Sequence, residues 1–120
     1  MNREIKFRAW DLYNEKMIEI GFLENISLNK DLDFANYEVM QYTGLKDKNG
    51  VEIYEGDILS FDIQDYNGND NIYILPVSYY IDSFMCLKEE NEYFYLGEIL
   101  ANDEELEVIG NIYDNKDLIK

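Results

Sequence analysis

The stretch Met40–Phe61, MQYTGLKDKNGVEIYEGDILSF, decides how the rest of the chain is read. It sets Gly44, Gly50 and Gly56 among short apolar segments and contains two compact polar reversals, Asp47–Gly50 (DKNG) and Tyr54–Asp57 (YEGD). Asn49-Gly50 fits the two central positions of a tight hairpin turn, both of which need positive φ. Gly44 and Gly56 mark further points where the backbone adopts a conformation closed to residues with a Cβ, or packs closely. Past the second reversal, Asp57–Gln64 (DILSFDIQ) alternates Leu59, Phe61 and Ile63 against Ile58, Ser60, Asp62 and Gln64. That period of two reads as a central strand. Tyr37–Tyr42 alternates in the same way and leads into the motif as a strand.

Towards the N-terminus, Arg3–Trp10 places Ile5, Phe7 and Ala9 on one face and Glu4, Lys6, Arg8 and Trp10 on the other, the pattern of a half-buried strand. Asp11–Lys16 (DLYNEK) has turn composition and Met17–Ile20 alternates again, so the chain opens with a hairpin. Trp10, at the end of its strand, suits the edge of a core or a contact surface. Gly21–Asn36 keeps neither the strand nor the helix period and reads as irregular, with a short element near Ile26–Leu28.

Towards the C-terminus, Asp65–Asn71 is a polar loop and Ile72–Ile81 a strand that Pro76 confines to an edge or bends, because proline brings no N–H to a ladder. Ser83–Leu87 and Tyr93–Leu100 are shorter β segments, although LGEILAND (96–103) also suits a helical turn. Leu106–Tyr113 is the last strand, and DNKDLIK (114–120) closes with a turn of helix. Short strands punctuated by Gly/Asn turns predict a single, mainly β domain over residues 1–120: a small SH3-like barrel or β-sandwich with an N-terminal β-hairpin extension and minor helix.

Composition narrows the function classes. A chain of 120 residues with 47% hydrophobic and 15% aromatic content folds despite a net charge of −16. The acidity is lopsided: residues 1–50 carry seven Lys/Arg and nine Asp/Glu, residues 51–120 three Lys and seventeen Asp/Glu. Such a surface repels phosphate backbones, so no direct nucleic-acid binding is expected. The single Cys86 excludes an intrachain disulfide and reads as a small buried residue. No apolar run is long enough to span a membrane and no signal peptide is legible, so the expectation is a cytoplasmic protein without a membrane partner.

Catalytic chemistry is scarce. The chain has no His, which removes Ser-His-Asp and Cys-His catalysis and the commonest zinc ligand. No phosphate-binding glycine motif is present. Asp57 and Asp62, five positions apart, project to opposite faces of a regular strand. The oxygen-rich loops at Asp47 and Asp65 fail the calcium-loop pattern, since position six counted from Asp65 is Asp70 and position twelve is Pro76. No cofactor, metal or catalytic residue is assigned. The eleven tyrosines are more than one small core can hold with every hydroxyl paired, which points to a Tyr/Phe/acid surface for protein contact. Trp10, Tyr42, Tyr54 and Asp57 are the residues assigned to it.

Four segments together, REIKFRAWD at 3–11, KMI at 16–18, VMQYTGLKDKNGVEIYEGDIL at 39–59 and EVIGNIYDN at 107–115, resemble the YopX family of phage and prophage proteins. They cover about half of the chain. The resemblance implies a small, mostly β, phage-encoded protein made inside a bacterial host, with no established activity and no site residue to carry over. Three functions are then open: a non-enzymatic accessory protein acting by protein contact or self-association, an acidic nucleic-acid mimic that inhibits a host DNA-binding protein, and a carboxylate/metal-dependent hydrolase.

Overall fold

A computed structural model describes residues 4–22, 36–80, 82–89, 92–103 and 105–119. The irregular reading of Gly21–Asn36 falls largely outside these residues. The described chain is mainly β and forms two antiparallel sheets, one of them curled into a half-barrel, with a single small helix among the described residues.

The first sheet has the order β2-β1-β3-β4 and is built from β1 (Lys6–Asp11), β2 (Lys16–Phe22), β3 (Tyr37–Lys46) and β4 (Glu52–Tyr54). The N-terminal hairpin therefore continues into the sheet, since β1 lies between β2 and β3, with Phe7 opposite Gln41 and Asp11 opposite Tyr37. The hairpin turn is held by Asp11, whose Oδ1 accepts the N–H groups of Tyr13 and Asn14.

The second sheet has the order β8-β7-β6-β5-β9, from β5 (Asp57–Gln64), β6 (Asp70–Tyr80), β7 (Ser83–Glu89), β8 (Glu92–Tyr95) and β9 (Glu107–Asn111). β5 lies between β6 and β9, the interior position its pattern predicted. Its Leu59 and Phe61 enter a core shared with Val77 and Cys86, and the helix α1 (Leu96–Asn102) adds Leu96 and Ile99 to the same cluster. Phe61, Tyr73 and Phe94 meet there at ring separations of 4.9–5.6 Å, two of the contacts edge-on or tilted, the geometry aromatic quadrupoles favour. LGEILAND is thus helical rather than extended: its Leu96 and Ile99, three apart, bury one side of a turn and leave Gly97 outside.

Two details differ from the sequence reading. β6 is interior in the sheet order, yet Pro76 is tolerated because the strand changes partners there: residues up to Pro76 pair with β5, and Val77–Tyr80 pair with β7. Pro76 is the last paired residue on the β5 side, opposite Ile58, so its missing N–H falls at the end of that ladder. The second reversal of the opening motif is also no hairpin. β4 belongs to the first sheet and β5 to the second, so Glu55-Gly56 is a corner between sheets. Gly56 has φ +85°, its N–H donates to the Val77 C=O, its C=O accepts the Ile112 N–H, and an added Cβ would meet Met40 Sδ at 3.0 Å. At Gly56 that corner is tied to the second sheet through backbone hydrogen bonds.

Candidate contact surface

Trp10, Tyr42, Tyr54 and Asp57 are all buried, at 3–9% exposure. They meet at the seam between the sheets. The even face of β1 lays three side chains on three aromatic rings: Lys6 Nζ stands 4.8 Å from the Tyr42 centroid, the Arg8 guanidinium 4.7 Å from that of Tyr54, and Trp10 stacks on Tyr113 at 4.9 Å. Lys6 is ion-paired with Glu52 and Glu4. Arg8 pairs with Asp57 at 2.8 Å and donates to the Glu55 C=O, while the second Asp57 oxygen accepts the Tyr54 N–H at 2.7 Å. Burial pushes the Asp57 carboxyl up despite Arg8 and the Tyr54 N–H, and burial likewise pushes up the hydroxyls of Tyr42, Tyr54 and Tyr113.

All four are covered within this chain, which leaves little of their side chains to offer a partner. An alternating strand with charges on one face looks half-solvated, but here Lys6, Arg8 and Trp10 each stand against a ring, those of Tyr42 in β3, Tyr54 in β4 and Tyr113. Removing one partner of a buried ion pair such as Arg8–Asp57 costs roughly 3–5 kcal/mol, so the group clamps the seam.

The exposed tyrosines lie elsewhere. On one face of the second sheet, Tyr80 of β6 and Tyr93 and Tyr95 of β8 are 55%, 45% and 38% exposed, opposite Ser83, Leu87 and the buried Met85 of β7. Tyr93 and Tyr95 form an edge-to-face pair, centroids 5.4 Å apart at 80°. Beside them a groove of about 470 Å³ is lined by Leu45, Phe84, Tyr95, Leu96 and Glu98. The richness in tyrosine was visible in the sequence; which tyrosines face solvent depends on what packs over each sheet face. The only early signal was the doublet spacing Tyr93, Tyr95, which puts both rings on one face of a strand.

A second cleft of about 740 Å³ runs along Asp62, Gln64, Asp65, Asn102 and Asp103. Its carboxylates already hold backbone: Asp103 accepts the N–H groups of Asp62 and Glu105, Asp62 that of Asn71, and Asp65 those of Asn67 and Asn69. Among the described residues no three of Cys, Asp and Glu converge as a metal site. Cys86 is fully buried and its thiol is pushed up to about 12 by that burial, which leaves it inert as a nucleophile at neutral pH. Among the described residues no helix is long and apolar enough to cross a membrane.

Comparison with known proteins adds the following. The sequence profile of the YopX family, described as YopX protein, matches residues 6–120. The crystal structure of protein EF1440 from Enterococcus faecalis is similar with a TM-score of 0.65 and 30% sequence identity, over 99% of this chain and 100% of that one. No curated protein sequence matches.

Proposed function

This chain belongs to the YopX family, and from that premise we propose that it is a non-enzymatic phage or prophage accessory protein, acting in the cytoplasm of a bacterial host by contact with a protein partner. The observation that carries the reading is the exposure of Tyr80, Tyr93 and Tyr95 on one sheet face next to an apolar groove. Large rings held in water on a rigid sheet are the composition of an interface centre, where amphipathic aromatics bury area with little loss of side-chain freedom.

The acidic-mimic reading is weakened by how the carboxylates are used. Asp11, Asp47, Glu55, Asp57, Asp62, Asp65 and Asp103 each accept backbone N–H groups. Carboxylates spent inside turns and at the seam do not form a phosphate-like row.

The test is capture from bacterial lysate, nuclease-treated, with the intact protein and a Tyr80→Thr/Tyr93→Thr/Tyr95→Thr variant as baits. Partners retained by the intact protein and lost by the variant support the reading. Equal retention by both baits would overturn it.

A further inference from the structure

We propose that the Tyr93–Tyr95 corner is a receptor for an arginine or lysine side chain on a basic segment of a partner protein, with Asp82 and Glu98 as counter-charges and the Leu45/Phe84/Leu96 groove taking an apolar neighbour of that cation. The inference rests on the protein-contact reading above and deepens it by assigning the partner's chemistry.

Three observations converge. First, the two rings are perpendicular and exposed, so ring face is open to an incoming cation within the reach over which cation–π attraction acts. Second, negative charge stands at the corner. Glu98 lines the groove together with Tyr95, Asp82 accepts the hydroxyl of Ser83, which lines it too, and both carboxylates push the Tyr95 hydroxyl up after its hydrogen bond with Tyr93. Third, the strands and helix around the two rings are poor in cations among the described residues. Among the described residues of β6, β7, β8 and α1, Lys88 is the one Lys or Arg, and its ammonium lies 5.6 Å from the centroid of the core ring Tyr73 and pairs with Glu92. The seam shows what this chain does with its cations: Lys6 and Arg8 each sit on a tyrosine beside a carboxylate. At the Tyr93–Tyr95 corner rings and acids are again together, and among the described residues no Lys or Arg stands over either ring.

Charge complementarity also selects among occupants. A second copy would bring its own −16 and its own Asp82 and Glu98 against this patch. A wholly apolar segment would leave both carboxylates facing unpaired. A basic segment satisfies the rings and the acids together.

The experiment titrates a short synthetic peptide alternating arginine and leucine into the intact protein at 0.15 M salt, beside a citrulline version that keeps shape and removes charge. Binding is compared for Tyr93→Leu/Tyr95→Leu, for Asp82→Asn/Glu98→Gln, and for Asp114→Asn/Asp117→Asn, which removes equal charge from the C-terminal segment. The expected result is about fivefold weaker binding for each of the first two pairs and less than about twofold for the third. The citrulline peptide should not saturate. If the tyrosine pair fails to fold, judged by its thermal transition, the Asp82/Glu98 pair decides alone. Equal weakening by Asp114→Asn/Asp117→Asn would reduce the binding to general attraction by a polyanion and overturn the proposal, as would unchanged affinity for the first two variants. If that happens while the Tyr80/Tyr93/Tyr95 variant still loses lysate partners, the protein-contact reading stands and only the cation receptor falls.

Discussion

Asp47–Val51 (DKNGV) and Asp65–Asn69 (DYNGN) fold into the same five-residue loop. In each, the Asp N–H donates to the fifth residue's C=O at 2.9 Å, and the glycine N–H donates back to the Asp C=O at 3.0 Å. In each, Asp Oδ1 accepts the N–H groups of the third and fifth residues, and the glycine has φ +79°. The difference lies in the surroundings. Asp47 is 8% exposed and its Oδ2 accepts the Val108 N–H of β9, 61 residues on. Lys48 donates its N–H to the Leu106 C=O and its ammonium lies 3.0 Å from Glu107. Asp65 is exposed, and Tyr66, at the position of Lys48, stands fully in water. One Asp-x-Asn-Gly sequence is thus sufficient for the loop, and a neighbouring strand turns one of the two loops into a tertiary fastening.

The sharpest way to break this comparison is to delete the aspartates. Asp47→Ala leaves three backbone donors without their acceptor, one of them on β9, and should lower unfolding free energy by roughly 3 kcal/mol in urea denaturation. Next come the glycines. An added Cβ meets nothing within 4 Å at Gly50 or Gly68, so Gly50→Ala and Gly68→Ala should each lose about 1 kcal/mol from the left-handed backbone, and by equal amounts. Unequal losses would mean that the surroundings reach the backbone conformation as well.

A pH series separates the aspartates more finely. Burial opposes the charged form of Asp47, but the N–H groups of Val108, Val51 and Asn49 outweigh it and the carboxyl is lowered. Asp65 is lowered by the Asn69 N–H first. A carboxyl lowered in the folded state stabilises fully above its unfolded value, about 3.9, and loses that contribution as pH falls through the folded value. The gap in unfolding midpoint between the native protein and Asp47→Asn should therefore be constant from about pH 7 to 5 and narrow below about pH 4. Asp65→Asn should show the same sign with a narrower gap. The smallest effect is expected for Asp65→Ala, whose turn donors turn to water; a loss matching that of Asp47→Ala would end the distinction.

Legibility follows the range of the interactions. The alternation of Lys6–Asp11, Tyr37–Tyr42 and Asp57–Gln64 was readable because a strand's two faces are set by neighbours in sequence. At Asp47–Gly50 the turn was found but its register was not: Lys48-Asn49 are central, and Gly50 alone takes positive φ, because Asp47 Oδ1 supplies a side-chain acceptor that draws in the Asn49 and Val51 N–H groups. The burial of Trp10, Tyr42, Tyr54 and Asp57 was hidden for a related reason. Tyr42 and Tyr80 are both strand tyrosines in sequence, and what packs on Tyr42, Lys6 of β1 and the Tyr54 ring of β4, distinguishes 3% from 55% exposure.

The opening stretch Met40–Phe61 by itself determined two strands, a DKNG loop between them, and a glycine where the chain turns sharply. These are outcomes of φ preference, β-branching and side-chain capping within a few residues. Only the tertiary structure decided that the second reversal crosses between sheets, that Asp47 fastens β9, that Arg8 and Asp57 close the seam, and that Tyr93 and Tyr95 stay in water. Those outcomes depend on which surfaces meet, and burial changes the cost of every charge and hydroxyl it covers, which no local pattern encodes.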